Sequence, residues 1–185
     1  EPLPSMPLYF WGDEDGSRFH DSYFSDYPGI WRHGDWIAIA EDGSSVIYGR
    51  SDATINRKGL RLGSAEIYQA VEGLDQIMDS LVVDLEFLGK DSFMPLFVVP
   101  AQGGAVDDAL KDKINAAIRA QVSARFVPNE IIEIAQVPRT LSGKKLEVPV
   151  KKLLLGQDPE KVVNRDSMAN PDSFDFYVAY ANARA

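Results

Sequence analysis

An α+β fold, with a small and mainly antiparallel sheet flanked by helices, is what this sequence predicts. Three observations carry the prediction: short apolar runs joined by turn formers, two stretches with a helical stripe, and no internal repeat. Strands that return directly on one another favour hairpins over the long crossovers of a parallel sheet.

Residues 1–33 hold Tyr9, Phe10, Trp11, Phe19, Tyr23, Phe24, Tyr27 and Trp31 with no period of 2 or 3.6. They predict irregular structure that packs against something larger. Residues 36–39 and 46–48 flank Glu41-Asp42-Gly43-Ser44, a hairpin pattern. Two short strands are expected within 53–62, around Lys58-Gly59. Ser64 is the expected N-cap of the next helix, with Glu66 in its positive first turn and Ile67, Val71 and Leu74 on one stripe.

Residues 80–88 alternate, with Leu81, Val83, Leu85 and Phe87 on one face and Asp84 and Glu86 on the other. That pattern predicts a half-buried strand. A turn over 89–92 and a returning strand over 93–99 follow. Residues 107–124 predict the longest helix, striped by Leu110, Ile114, Ala117, Ile118 and Val122. Residues 131–134 predict a third strand and 136–145 a polar loop. A short helix is expected over 150–155, with Pro149 near its start and Gly156 past its end. The tail from Gln157 is polar and shows no period.

Composition narrows the functional classes. The apolar fraction of 45 % is enough for a core, and the 25 % of charged residues is ordinary for a globular protein. The net charge of −9 argues against a nucleic-acid binder, whose affinity comes from neutralising phosphates. A polyanionic ligand therefore needs a local positive patch. With no cysteine, disulfides, thiolate metal sites and thiol catalysis are excluded, and a cytoplasmic location is expected. No apolar run has membrane-spanning length, so no membrane partner is expected. The first residue is Glu1, not Met, which suggests either a piece of a longer protein or a processed terminus.

The chemistry-bearing signal is Pro138-Arg139-Thr140-Leu141-Ser142-Gly143-Lys144-Lys145. Ser-Gly makes a turn that presents the next side chain, and a lysine there can stabilise charge developing on a phosphate. In isolation such a loop reads as two solvated lysines. Its company changes that reading: Gly49-Arg50-Ser51-Asp52 and then 59–67, Gly-Leu-Arg-Leu-Gly-Ser-Ala-Glu-Ile, precede it in order.

In this order the motifs resemble the C-terminal region of the adenylate-forming superfamily, which includes acyl-CoA synthetases, luciferases and peptide-synthetase adenylation domains. Segments 16–24, 34–36, 62–68, 123–128 and 170–177 bring the resemblance nearer to the acetoacetyl-CoA synthetases. It implies an ATP-dependent acid–thiol ligase acting on acetoacetate, ATP and CoA through an acyl-adenylate, with AMP and pyrophosphate released. It implies three parts: 1–51 as the edge of a large AMP-binding domain, 52–156 as a mobile domain, and 157–185 as an extension.

By the same resemblance Lys144 is the catalytic lysine of adenylation, and Lys145 is its bystander. Asp35 meets the ribose hydroxyls, Arg50 the nucleotide, and Arg61 a phosphate in the thioester-forming state. Lys58 and Gly59 line the pantetheine path, Arg119 meets CoA phosphates, and Asp52 is the hinge. For Asp35 the plainer alternative is a turn residue, and for Arg50 and Arg119 a solvated charge. Arg57, Lys58, Arg61, Arg119, Arg125, Lys144 and Lys145 would make the positive patch if they converge.

The Gly/Ser/Thr-rich phosphate loop of the family is missing from this sequence, so the chain by itself is expected to be inactive. Magnesium is expected to be held mainly by the rest of such an enzyme. His20 and His33 suggest no metal site. The alternatives are an acetyl- or propionyl-CoA synthetase, an adenylation domain serving a carrier protein, and a non-catalytic interaction module.

Overall fold

The computed structural model describes residues 6–51, 53–57, 59–86 and 92–184. The chain divides into two compact units, Glu1–Asp35 and Trp36–Ala185.

The first unit is not wholly irregular. It contains helix α1 (Ser17–Tyr23), whose early amides are met by a side chain upstream. The Asp13 carboxylate accepts from the Arg18 and Phe19 backbone N–H groups at 3.0 and 2.8 Å. That supplies partners a helix start otherwise lacks. The periodicity was hidden because the aromatic residues gather on one another. Phe10, Phe19, Phe24 and Trp31 meet edge-on or tilted, and Tyr23 stacks on Trp31 with centroids 3.8 Å apart.

The second unit begins with two small ribbons. Strands β1 (Asp35–Ile39) and β2 (Ser45–Arg50) pair across the predicted turn, where the Ala40 amide donates to the Ser44 carbonyl. Strands β3 (Ile55–Arg57) and β4 (Leu60–Leu62) pair antiparallel, Ile55 opposite Leu62. Helix α2 (Ser64–Glu72) follows, and Gly63 rather than Ser64 is its N-cap. Gly63 has the extended backbone that a cap position requires, so Ser64 is already the first helical residue.

A three-stranded sheet forms the centre. Its order is β5 (Ile77–Val82), β6 (Pro95–Pro100), β7 (Glu130–Glu133). β5 and β6 are antiparallel, whereas β6 and β7 are parallel and are joined through helix α3 (Asp108–Gln121). The α+β class stands, but one connection is a true helical crossover that the hairpin pattern did not suggest. Asp107 caps α3 by accepting from the Leu110 N–H at 2.8 Å.

The sheet is buried on both faces. On one face Val82, Leu96 and Val98 pack with Ile67 and Val71 of α2 and Ile114 and Ile118 of α3. On the other, Leu81, Val83, Leu85, Phe97 and Val99 pack with Val150 and Leu153 of α4 (Glu147–Leu154) and Phe174 and Tyr177 of α6 (Ser173–Arg184). The predicted facing of Leu81, Val83 and Leu85 holds. The half-buried expectation does not, since Val82 and Asp84 are buried too. The reason is α2 and α3, which cover the second face. Phe87 and most of the 89–92 turn lie outside the described residues.

The tail is ordered structure. After α5 (Pro159–Val162) a 3-10 turn at Arg165–Ser167 leads into α6. Phe174 and Tyr177 are fully buried there, the Tyr177 ring 4.8 Å from that of Phe97. No helix among the described residues is long and apolar enough to cross a membrane.

Candidate active-site loop

The lysine loop is a small hairpin. Arg139 bridges Lys145, and the Thr140 N–H donates to the Lys144 carbonyl at 2.9 Å. Gly143 takes φ +83°, the left-handed turn conformation that suits glycine. The turn therefore directs its two lysines to different environments.

Lys145 points inward. Its ammonium lies 2.5 Å from a Glu72 carboxylate oxygen, 3.0 Å from Asp79 and 2.7 Å from the Ser80 carbonyl. It also sits 3.7 Å above the centre of the Tyr68 ring, a cation–π contact. Tyr68 is itself fixed, donating its hydroxyl to Glu147 and accepting from the Val82 N–H at 3.3 Å. Burial first, and the Glu147 charge second, push its phenol well above the ordinary 10.0, so it stays protonated.

Arg139 completes the anchor. Its guanidinium meets Asp79 at 2.7 Å and donates to the Gly143 carbonyl at 2.7 Å. Burial alone would push the Asp79 carboxyl up. The Arg139 hydrogen bond and the Lys145 and Arg139 charges outweigh it and hold Asp79 below its ordinary 3.8. A register shift in β5 between Ile77 and Asp79 aids this arrangement. The extra residue lets Ile77 share one core with Val82, while Leu81 belongs to the other and Asp79 meets the loop.

Lys144, by contrast, is exposed. Its backbone N–H donates to Thr140 Oγ1 at 3.1 Å, while its ammonium makes no hydrogen bond or ion pair among the described residues. A solvated cation on a fixed base can meet a developing negative charge without first breaking a partner.

The other expected site residues are dispersed. Arg61 is exposed on β4, its guanidinium 5.4 Å from the centre of the Trp36 ring. Trp36, Thr54, Arg61, Leu62, Gly63 and Glu66 line a shallow pocket of about 290 Å³. Trp36 Nε1 donates to Thr54 Oγ1 at 2.8 Å, and that hydroxyl donates to the Arg50 carbonyl at 3.0 Å. Gly59 takes φ +80° at the β3–β4 turn with open space around it. Asp35 lies 2.5 Å from His33 Nδ1. Arg119 is exposed in the last turn of α3. Asp52 and Lys58 lie outside the described residues.

Among the described members of the expected basic set, Arg57 donates to the Val127 carbonyl at 2.9 Å, and Lys145 is held in the anchor. Sequence reading missed Glu72, Asp79 and Asn170. These partners stand far from the loop in sequence, and no local spacing pointed to them. Among the described residues no group of three or more His, Asp or Glu could hold a metal ion.

The fold, a three-stranded sheet covered on both faces, is similar to that of solved ligases that include an acyl-CoA synthetase. The amide bond synthetase McbA of Marinactinospora thermotolerans matches with a TM-score of 0.60 over 79 % of this chain and 28 % of its own, a likeness of fold at 20 % identity. Within that class the chain is homologous to part of the acetoacetyl-CoA synthetases. The Streptomyces lividans enzyme is 52 % identical, with a TM-score of 0.89 over 100 % of this chain and 27 % of its own. The Danio rerio enzyme is 43 % identical over 178 residues, which are 96 % of this chain and 26 % of that protein. The chain thus spans about a quarter of the length of the curated relatives it matches. No protein-family model matches it.

Proposed function

We propose that this chain is the lysine-bearing C-terminal portion of an ATP-dependent ligase that joins acetoacetate to CoA. Its parts follow the sequence expectation: 1–51 as the edge of the nucleotide-binding domain, 52–156 as the mobile domain turning at Asp52, and 157–185 as the extension. A cytoplasmic location belongs to the same reading.

In the first half-reaction an acetoacetate oxygen bonds to the α-phosphorus of ATP, and the bond to pyrophosphate breaks. Lys144 carries the positive charge that faces the negative charge accumulating there. In the second, the CoA sulfur bonds to the acyl carbon, AMP leaves with the former carboxylate oxygen, and the thiol proton is released. Arg61 then faces the AMP phosphate, Lys58 and Gly59 flank the pantetheine, and Arg119 meets CoA phosphates. Asp35 accepts from the ribose hydroxyls, and Arg50 contacts the nucleotide. Magnesium accompanying ATP would supply charge neutralisation, but no described cluster fits it, and no step is assigned to it.

The observation that carries this reading is the division of labour between two adjacent lysines. Lys145 is consumed by the anchor and Lys144 is presented to solvent on a fixed turn. The test is acetoacetate-dependent pyrophosphate exchange by the intact ligase. Lys144→Ala is expected to slow exchange about 10²–10³-fold, the usual loss on removing one charge-stabilising donor. Thioester formation from supplied acetoacetyl-adenylate should be retained. Unchanged exchange would sink the assignment.

A further inference from the structure

Because the Lys144 ammonium has no partner of its own among the described residues, its position is inherited from the loop backbone. The anchor described above fixes the two ends of that loop through the side chains of Lys145 and Arg139. The backbone of the 139–141 arm is held by the tail. The Ala169 N–H donates to the Arg139 carbonyl at 2.9 Å, and the Leu141 N–H donates to the Ser167 carbonyl at 3.0 Å. Thr140 bridges Met168 in antiparallel fashion between them. Residues 167–169 therefore add a further strand to the 139–145 hairpin.

Asn170 closes the arrangement with both ends of its amide. Its Oδ1 accepts from the Arg139 N–H at 3.0 Å, and its Nδ2 donates to the Val137 carbonyl at 2.9 Å and to Gln136 Oε1 at 3.1 Å. One side chain thus ties the tail to the base of the loop at three points. The tail is secured in turn by burial. Met168 is buried in the second core, and Phe174 and Tyr177 have no exposed surface against Phe97 of the central strand. Covalent continuity and packing thus run from the middle of the sheet, through α6, to the 139–141 arm, on which the Lys144 arm is paired.

We propose that residues 167–170 are a positioning clamp for the lysine loop, with Asn170 as its positioning residue in the adenylation half-reaction. Arg139 is then gripped twice, by Asp79 at its guanidinium and by the tail at its backbone. Misplacement of a reacting group by about 1 Å can cost about 10²-fold in rate, so a Ser-Gly turn needs such bracing. The proposal rests on the assignment of Lys144 to adenylation. Thioester formation, which does not use Lys144, should be indifferent to the clamp.

The test uses Asn170→Ala and Asn170→Asp in the intact ligase. Asn170→Ala is expected to lower kcat for pyrophosphate exchange about tenfold with the KM for ATP unchanged, a partial loss of positioning. Thioester formation from supplied adenylate stays at the parent rate, and the Leu141 and Ala169 amide protons exchange faster with solvent. Asn170→Asp keeps the acceptor for the Arg139 N–H and should recover most of the rate. Parent kinetics despite faster amide exchange would overturn the clamp, as would an equal fall in both half-reactions. Where the amides stay protected, adding Ala169→Pro removes a second tie, and parent kinetics in that double variant also overturns it. A slowed Lys144→Ala beside unaffected clamp variants overturns the clamp alone. An unaffected Lys144→Ala overturns the function instead.

Discussion

The 139–145 loop and the 55–62 ribbon each present a cation beside a positive-φ glycine, yet they are built differently. Around Lys144 the chain closes on itself from three directions: Glu72 of α2, Asp79 of β5 and Asn170 of the tail. Arg61, by contrast, is exposed, and its guanidinium lies over the Trp36 ring with no ion pair among the described residues. A cation that must meet charge at one point gains from a rigid base, because misplacement costs rate steeply.

The largest expected effect comes from dismantling the rigid side. Asp79→Ala leaves Arg139 and Lys145 facing one another with Glu72 as the remaining counter-charge. Stability should fall by about 2–3 kcal/mol in urea denaturation, below the about 3–5 of a fully buried pair. The discount reflects Arg139, whose side chain is 34 % exposed and therefore partly screened. Acid does the same reversibly. The folded Asp79 carboxyl titrates below its ordinary 3.8, so its contribution is complete above that value and is lost as pH falls through the lower one. A stability profile flat across that acid range would break the comparison from this side.

Next comes the open turn. Gly59→Ala meets no atoms, so its cost is conformational, about 1–2 kcal/mol for an L residue held in the left-handed region. Thermal unfolding would measure it, and no loss would mean that the turn rearranges freely. The smallest effect on folding is expected for Arg61→Ala, within about 0.5 kcal/mol, as for exposed residues generally. The same variant should slow thioester formation from supplied adenylate more than it slows pyrophosphate exchange. If Arg61→Ala instead destabilises the fold, its stacking on Trp36 is structural and the contrast between the two regions narrows.

Much of the fold was legible locally. The hairpin at 41–44, the stripe of α3 and the common face of Leu81, Val83 and Leu85 follow from periods of 3.6 and 2 and from turn chemistry, which a chain displays whatever its tertiary contacts. Elements defined by distant partners were not legible. α1 is organised by an aromatic cluster, and its apolar residues satisfy no period. The parallel placement of β7 depends on α3 crossing the sheet. α6 shows no helical stripe in the sequence, because Phe174 and Tyr177 are buried while Phe176 between them is exposed.

For the candidate site the division is sharper. The sequence by itself determined that a Ser-Gly-Lys-Lys turn exists, that it follows the Arg50, Gly59 and Arg61 segments in order, and that no cysteine chemistry competes with it. Which of the two lysines is anchored and which is presented was decided by tertiary structure. Neighbouring residues in a turn have the same local sequence, and it is Tyr68, Glu72 and Asp79, brought from distant elements by the sheet and the two cores, that make their surroundings differ.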